Sequence, residues 1–153
     1  MTRYRLHIGG EDVDSASGAT FDAVNPTTGE TWATHARGGA EDVDRAVLAA
    51  TAAFESEAWR GLSPTRRGRL MMRWADAIAD HAEEIAKVEV AANGKLYKEM
   101  LAQLRVIPDW LYYFGGLADK VEGRVIPLDR TSVLNYTLRE PLGVVGVIIP
   151  WNS

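Results

Sequence analysis

Cysteine is absent from the 153-residue sequence, and histidine occurs only three times. Without cysteine the chain can form neither a disulfide nor a thiolate metal site, and it carries no thiol nucleophile. The histidines His7, His35 and His81 lie far apart in the sequence and lack the spacing of metal ligands. We therefore expect no metal site in this chain.

The sequence also lacks an excess of basic residues and a long hydrophobic run. Its formal net charge is −4, from 17 Lys and Arg against 21 Asp and Glu. A mildly acidic surface does not attract phosphate backbones, so we expect no nucleic-acid partner. No segment reaches the roughly 20 apolar residues that cross a bilayer, and the first residues contain no signal-peptide core. We expect a cytoplasmic protein without membrane association.

The first part of the chain has the pattern of short strands. Tyr4, Leu6 and Ile8 alternate with polar residues before a Gly9-Gly10 turn, which predicts a strand with one buried face. Residues 20–24 and 31–36 flank a segment rich in turn-forming residues, which predicts two more short strands. We expect a small antiparallel element.

Helical periodicity begins at residue 40. Apolar residues recur at helical spacing over residues 40–54, behind an acidic first turn. Ser63 is predicted to cap a second helix with Pro64 at its first position, and this helix should break near Asp80 and end at Gly94. Helical spacing resumes at Leu96. An apolar stripe after Pro108 is predicted to pack in the core instead of forming a cofactor box; it consists of Trp110, Tyr113, Phe114, Leu117 and Val121.

The last thirty residues have the character of extended structure. Residues 124–128 and 133–139 predict two strands, and residues 144–149 form an unalternating aliphatic run. Such runs are typical of parallel strands that are covered on both faces, so the fold class is α/β. No second run of this kind precedes it, so we expect the chain to be the front part of a longer protein. Because open α/β sheets bind ligands at the carboxyl ends of their strands, Trp151 and Asn152 would reach a ligand site.

Several motifs along the chain carry a family resemblance. The ending Pro150-Trp151-Asn152 follows the aliphatic run, and Asn93-Gly94-Lys95 follows the predicted helices. Further matching segments are residues 24–30, 40–47, 63–67 and 136–146. In this order, the motifs resemble the NAD(P)-dependent aldehyde dehydrogenase superfamily.

The resemblance implies the N-terminal part of an aldehyde dehydrogenase-like fold, in three parts. Residues 1–123 would be the beginning of the cofactor-binding domain, with strands followed by a helical layer. Residues 124–139 would be oligomerisation strands that pair with another subunit of a homodimer or homotetramer; the alternative is an internal hairpin. Residues 140–153 would be the first core strand of the cofactor domain and the oxyanion motif.

The resemblance also implies site residues. Asn152 would be the catalytic oxyanion donor, because a neutral amide can point an N–H at a carbonyl oxygen without titrating. Without the resemblance, it would be read as a turn residue that bonds its own backbone. Ile148, Ile149, Pro150 and Trp151 would lie against the adenosine side of NAD or NADP, with NAD favoured. The two isoleucines could equally be core residues of the strand.

The implied activity is oxidation of an aldehyde to a carboxylic acid through a cysteine thioester. The segment alone should be inactive, since it lacks the cysteine, a motif matching the general base, and the glycine-rich turn for the cofactor's pyrophosphate. Ala92 replaces an acidic residue common in the family, which argues against a monovalent cation site there. Two alternatives stay open: a truncated noncatalytic interaction module, and a relative that has lost the nucleophile.

Overall fold

A computed structural model describes residues 1–150 and Asn152, and the prediction for Trp151 therefore lies outside the described residues. Short strands come first and helices follow, which confirms the mixed α/β class. The strands are β1 Thr2–Tyr4, β2 Leu6–Ile8, β3 Glu11–Val13, β4 Thr20–Val24 and β5 Thr31–Ala36. The helices are α1 Ala40–Glu55, α2 Glu57–Arg60, α3 Pro64–Asp80, α4 Ala82–Asn93 and α5 Tyr97–Leu117.

The strands form two small sheets. β4 and β5 pair in antiparallel fashion, from Thr20 opposite Ala36, while β1 joins the other edge of β5 in parallel. β2 and β3 form a separate hairpin through Gly9 and Gly10, whose φ angles of 64° and 87° favour glycine. The single strand expected over residues 4–8 is therefore two strands in different sheets, separated at Arg5.

The helix boundaries follow local sequence signals. The Ser63 hydroxyl accepts a hydrogen bond from Arg66 N–H at 3.3 Å, with Pro64 at the first helical position, which confirms the predicted cap. The break between α3 and α4 is also confirmed, but its cap is His81 and not Asp80. α5 continues through Pro108 without interruption.

Helices α4 and α5 enclose a cluster of buried apolar residues, and α3 packs against α5. Ala82 and Ala86 of α4 pack against Met100 and Leu104 of α5. The backbones of α3 and α5 approach closely where two glycines meet: a Cβ atom on Gly115 would lie 2.9 Å from the carbonyl oxygen of Gly68. Only small residues permit so close an approach of two helices.

The aromatic stripe of α5 is not in the core, and that prediction was wrong. Trp110, Tyr113 and Phe114 are 62%, 61% and 53% exposed. α5 instead buries the face that carries Met100, Leu104, Pro108 and Gly115. Periodicity identified an apolar face correctly, but the helix has a second one, and that face contacts α3 and α4.

The extended segments near the C-terminus pair less than predicted. Residues 124–139 form one antiparallel bridge, Val125 with Tyr136, with Ile126 N–H donating to the Asn135 carbonyl at 2.9 Å. Residues 144–149 form no strand; Ile148 is fully exposed and Ile149 is 80% exposed. The physical reason is that a strand needs a hydrogen-bonded neighbour, and neither described sheet extends to these residues.

A buried carboxylate joins the β3–β4 loop to the start of α1. Asp42 is 4% exposed and accepts hydrogen bonds from Gly39 N–H at 2.9 Å and Ala16 N–H at 3.0 Å. The pKa of Asp42 lies below its ordinary value of 3.8, mainly because of the hydrogen bond from Gly39. The hydrogen bond from Ala16 and the nearby charge of Arg45 also lower this pKa, and burial opposes them. The acidic first turn of α1 was recognised in the sequence, whereas its contact with Ala16 was not.

The described residues contain neither a membrane-spanning helix nor a metal-binding cluster. No helix there combines the length and apolar character needed to cross a membrane. The same residues contain no group of three or more His, Asp or Glu side chains that could hold a metal ion.

Replacement of Gly68 by alanine should destabilise the protein. The added Cβ would overlap the Gly115 carbonyl oxygen and force α3 away from α5, at a cost of about 1–3 kcal/mol. Gly116→Ala is the matched control, because a Cβ there meets nothing within 4 Å and alanine favours the helix. Thermal unfolding of both variants checks this; equal melting temperatures would contradict the close-packed crossing.

Replacement of Asp42 by asparagine should destabilise the protein most at neutral pH. A carboxyl whose folded pKa lies below 3.8 contributes stability above that pH, and the contribution is lost as the pH falls through the folded pKa. The gap in melting temperature between the native protein and Asp42→Asn should therefore narrow in acid. Asp44→Asn, at an exposed position on the same helix, should show no such gap. A difference in melting temperature that did not change with pH would contradict the lowered pKa of Asp42.

Candidate active site

One cleft brings the C-terminal segment against the helices. It has a volume of about 280 Å³ and lies where α4 ends and α5 begins. Its apolar wall is formed by Met100, Leu104 and Ile107 of α5, with Pro150 from the terminal segment. The polar groups that line it are Glu89, Asn93, Lys95, Gln103 and Asn152. Such a mixture of an apolar wall with a few polar groups is typical of small-molecule sites.

The turn between α4 and α5 is held by its own side chains. α4 ends at Asn93, and Gly94 follows with a φ angle of 74°, a conformation that glycine adopts without strain. Asn93 Nδ2 donates a hydrogen bond to Glu89 Oε2 at 2.7 Å. Asn93 Oδ1 accepts one from Lys95 N–H at 3.0 Å. These contacts fix the direction in which the chain leaves α4.

A second turn, from the β4–β5 connection, lies against the first. There Asn25 Oδ1 accepts a hydrogen bond from Thr27 N–H at 2.8 Å, as is common in turns. A Cβ atom on Gly94 would lie only 2.9 Å from Pro26 Cγ. Two motifs that are distant in the sequence therefore meet in space. Through this contact the small sheet packs against the turn that borders the cleft.

Of the predicted site residues that the structure describes, two lie in the cleft and two do not. Pro150 and Asn152 both line the cleft, and Asn152 is exposed. The described cleft wall does not include Ile148 or Ile149, which are exposed outside it. Trp151 lies outside the described residues.

The arrangement suits hydrogen bonding to a neutral, polarised substrate. Asn152 is exposed in the cleft beside its apolar wall, so its amide is accessible to a bound molecule. The amide of Asn93 is already engaged at both ends, so Asn152 and Gln103 are the carboxamides that remain as donors among the described lining residues. An N–H aimed into such a cleft can stabilise negative charge on a carbonyl oxygen.

Sequence reasoning missed Glu89 and Gln103 as site residues. Glu89 lies four residues before Asn93, so both project from the same face of α4. That spacing was a usable signal, since Asn93-Gly94-Lys95 had already been recognised as a motif. Gln103 interrupts the apolar residues of α5, and no local signal marked it as a cleft residue.

Comparison with known proteins gives a consistent result. The model of the aldehyde dehydrogenase family matches residues 13–153. The chain is 40% identical over 153 residues to (Z)-2-((N-methylformamido)methylene)-5-hydroxybutyrolactone dehydrogenase of Acinetobacter baylyi, covering 100% of this chain and 31% of that protein. It is 45% identical to the mitochondrial aldehyde dehydrogenase family 2 member B4 of Arabidopsis thaliana, covering 99% of this chain and 28% of the relative. The chain thus spans less than a third of the length of these relatives.

Solved structures agree with the sequence comparison. A variant of aldehyde dehydrogenase from Bacillus cereus superposes with a TM-score of 0.83 at 35% identity, over 88% of this chain and 27% of that one. A variant of betaine aldehyde dehydrogenase from Staphylococcus aureus in complex with NAD+ gives 0.79 at 38% identity, over 85% and 26%. With a family match over residues 13–153 and this agreement in structure, the chain belongs to the aldehyde dehydrogenase family.

Proposed function

We propose that the protein containing this chain oxidises an aldehyde to a carboxylic acid with NAD(P), and that Asn152 is its oxyanion donor. The observation that carries the proposal is the place of Asn152 in the cleft, where its amide lies beside the apolar wall of α5. Membership of the aldehyde dehydrogenase family supports the reaction class.

The reaction begins with attack of a cysteine thiolate on the carbonyl carbon. A carbon–sulfur bond forms, and the electron pair of the C=O bond moves to oxygen. A bound nicotinamide would supply the acceptor for the hydride that leaves this carbon, and loss of the hydride would restore the C=O bond in a thioester. Water then attacks the thioester, releasing the carboxylic acid and the thiol. These 153 residues contain no cysteine, so the segment alone should be inactive.

Asn152 acts where negative charge gathers on oxygen. This happens twice, during thiolate addition and again during hydrolysis of the thioester. The Asn152 N–H can donate to that oxygen in both steps without changing its own charge. The apolar wall formed by Met100, Leu104 and Ile107 lies in the same cleft, so a bound substrate that displaces water from it would strengthen the interaction.

The cofactor would meet the same terminal segment. Ile148 and Ile149 are exposed, so their side chains offer an apolar surface to an adenosine ring system, and Pro150 continues this surface to the cleft. The residues therefore fit such a group in their chemistry. NAD is favoured over NADP because the Staphylococcus aureus relative contains NAD+. The pyrophosphate would be held by residues outside this chain, since the chain has no matching glycine-rich turn.

The wider assignments stay predictions. They are the division into residues 1–123, 124–139 and 140–153, assembly into a homodimer or homotetramer through residues 124–139, and the cytoplasmic location. The bridge between Val125 and Tyr136 pairs the segment within the chain, as the internal-hairpin alternative expects. Both residues are more than half exposed, so the assembly requires another subunit to cover this hairpin.

Replacement of Asn152 by alanine in the full-length protein should lower kcat by about 10²–10³-fold, as expected for the loss of one oxyanion donor. The Kd for the cofactor should change little, because the variant keeps Ile148, Ile149 and Pro150. Steady-state kinetics with a series of aldehydes and both cofactors, together with cofactor titration, measure these two effects.

Asn152→Asp is the matched comparison, since it keeps the shape and removes the N–H donor. Its kcat should be at least as low as that of Asn152→Ala, because a carboxylate repels the oxyanion. An unchanged kcat combined with a collapse of cofactor affinity would assign Asn152 to cofactor binding instead. If the native full-length protein oxidised no aldehyde, the proposed reaction itself would be wrong.

A further inference from the structure

We propose that Glu89 is a positioning residue, which acts through Asn93 to hold the α4–α5 turn in place beside Asn152. The inference rests on the proposed function and deepens it, because it adds a residue that controls the geometry of the oxyanion site without touching the substrate. It starts from the Glu89–Asn93 hydrogen bond of 2.7 Å in the wall of the cleft.

Glu89 differs from the other glutamates of its helix. Glu83 and Glu84 are exposed, whereas Glu89 is half-buried and lines the cleft. A half-buried carboxylate loses hydration and needs hydrogen-bond donors in return. The Nδ2 group of Asn93 supplies one, and a bond of this kind to an ionised acceptor is stronger than one between neutral groups.

The carboxylate determines which way the Asn93 amide points. Asn93 Nδ2 faces Glu89, and Oδ1 faces the Lys95 N–H at 3.0 Å. Reversing the amide would place its oxygen against the carboxylate and its NH₂ group against the Lys95 N–H, so both contacts would become repulsive. Glu89 therefore selects the one orientation in which Asn93 also holds the backbone of Lys95.

The backbone at Lys95 leads directly into α5, whose residues form the apolar wall of the cleft together with Pro150. Leu96 is the N-cap of that helix, and Met100 and Gln103 of its first turns line the cleft with Asn152. Pro26 restrains the other side of the turn at Gly94. Loss of the Glu89 bond would free the turn to shift, and a displacement of about 1 Å in a site of this type can cost about 10²-fold in rate.

Replacement of Glu89 by alanine in the full-length protein should lower kcat about tenfold while KM for the cofactor changes less than about twofold, since the geometry beside the reacting carbonyl changes but the cofactor segment does not. Glu89→Gln keeps an acceptor oxygen for Asn93 and should retain kcat within about threefold of the native value. Glu83→Ala, at an exposed position of the same helix, is the control and should leave kcat unchanged.

The decisive measurement repeats Glu89→Ala in an Asn152→Ala background. If Glu89 acts through the position of the oxyanion donor, its effect on kcat should fall below about twofold once the donor is gone, as for any pair of coupled residues. An equal loss of kcat in both backgrounds, or native kcat for Glu89→Ala, would overturn the positioning role. A loss in Glu89→Gln equal to that in Glu89→Ala would also overturn it.

Three further outcomes lead to different conclusions. If Glu89→Ala does not fold, Asn93→Ala replaces it, because it removes both side-chain hydrogen bonds of the turn and should show the same dependence on Asn152. If Asn152→Ala retains native kcat, the oxyanion assignment fails and the positioning role fails with it. If Asn152→Ala loses activity while neither Glu89→Ala nor Asn93→Ala does, only the positioning role fails.

Discussion

The contact between α3 and α5 at Gly68 and Gly115 is the constraint on which the cleft depends. Because neither residue has a side chain, the two backbones approach closely enough for one glycine carbonyl to fill the space beside the other. α5 is thereby held on one side by α3, and its Met100 and Leu104 pack on the alanines of α4. With α5 held between two helices, its Met100, Leu104 and Ile107 form a fixed wall for Asn152 to face.

The Asn93-Gly94-Lys95 turn fixes the start of α5 beside the cleft. Gly94 supplies the left-handed conformation that ends α4, and its lack of a side chain admits Pro26 from the β4–β5 turn. The Asn93 amide bonds Glu89 on one side and the Lys95 backbone on the other. These three consecutive residues thus connect the small sheet, α4 and the cleft. These contacts are a physical reason for the Asn93-Gly94-Lys95 sequence.

Sequence reasoning succeeded where the signal is local and failed where it depends on partners. The Ser63-Pro64 cap and the Gly94 stop depend on atoms within one helical turn, and both are confirmed. Residues 144–149 have the composition of a buried strand, but a strand exists only through its neighbours, and the described sheets do not reach it. The prediction that the stripe containing Trp110 packs in the core was wrong for a related reason. Periodicity identifies an apolar face but does not show which element covers it. Likewise, the sequence marked Asn152 and Pro150 by resemblance, whereas their meeting with Glu89 and Gln103 required the tertiary structure.

The charges in the cleft bear on the neutral oxyanion donor that we propose at Asn152. Glu89 carries a negative charge into the same wall, and by itself it would oppose negative charge developing on a substrate oxygen. Lys95 lines the cleft as well, and its positive charge balances the carboxylate in the formal sum. The Asn93 amide further disperses the charge of Glu89 through its hydrogen bond. In a cleft whose formal charges cancel, the proposed donor Asn152 is an uncharged amide, and it would favour the oxyanion without binding a negatively charged product so tightly that its release is slowed.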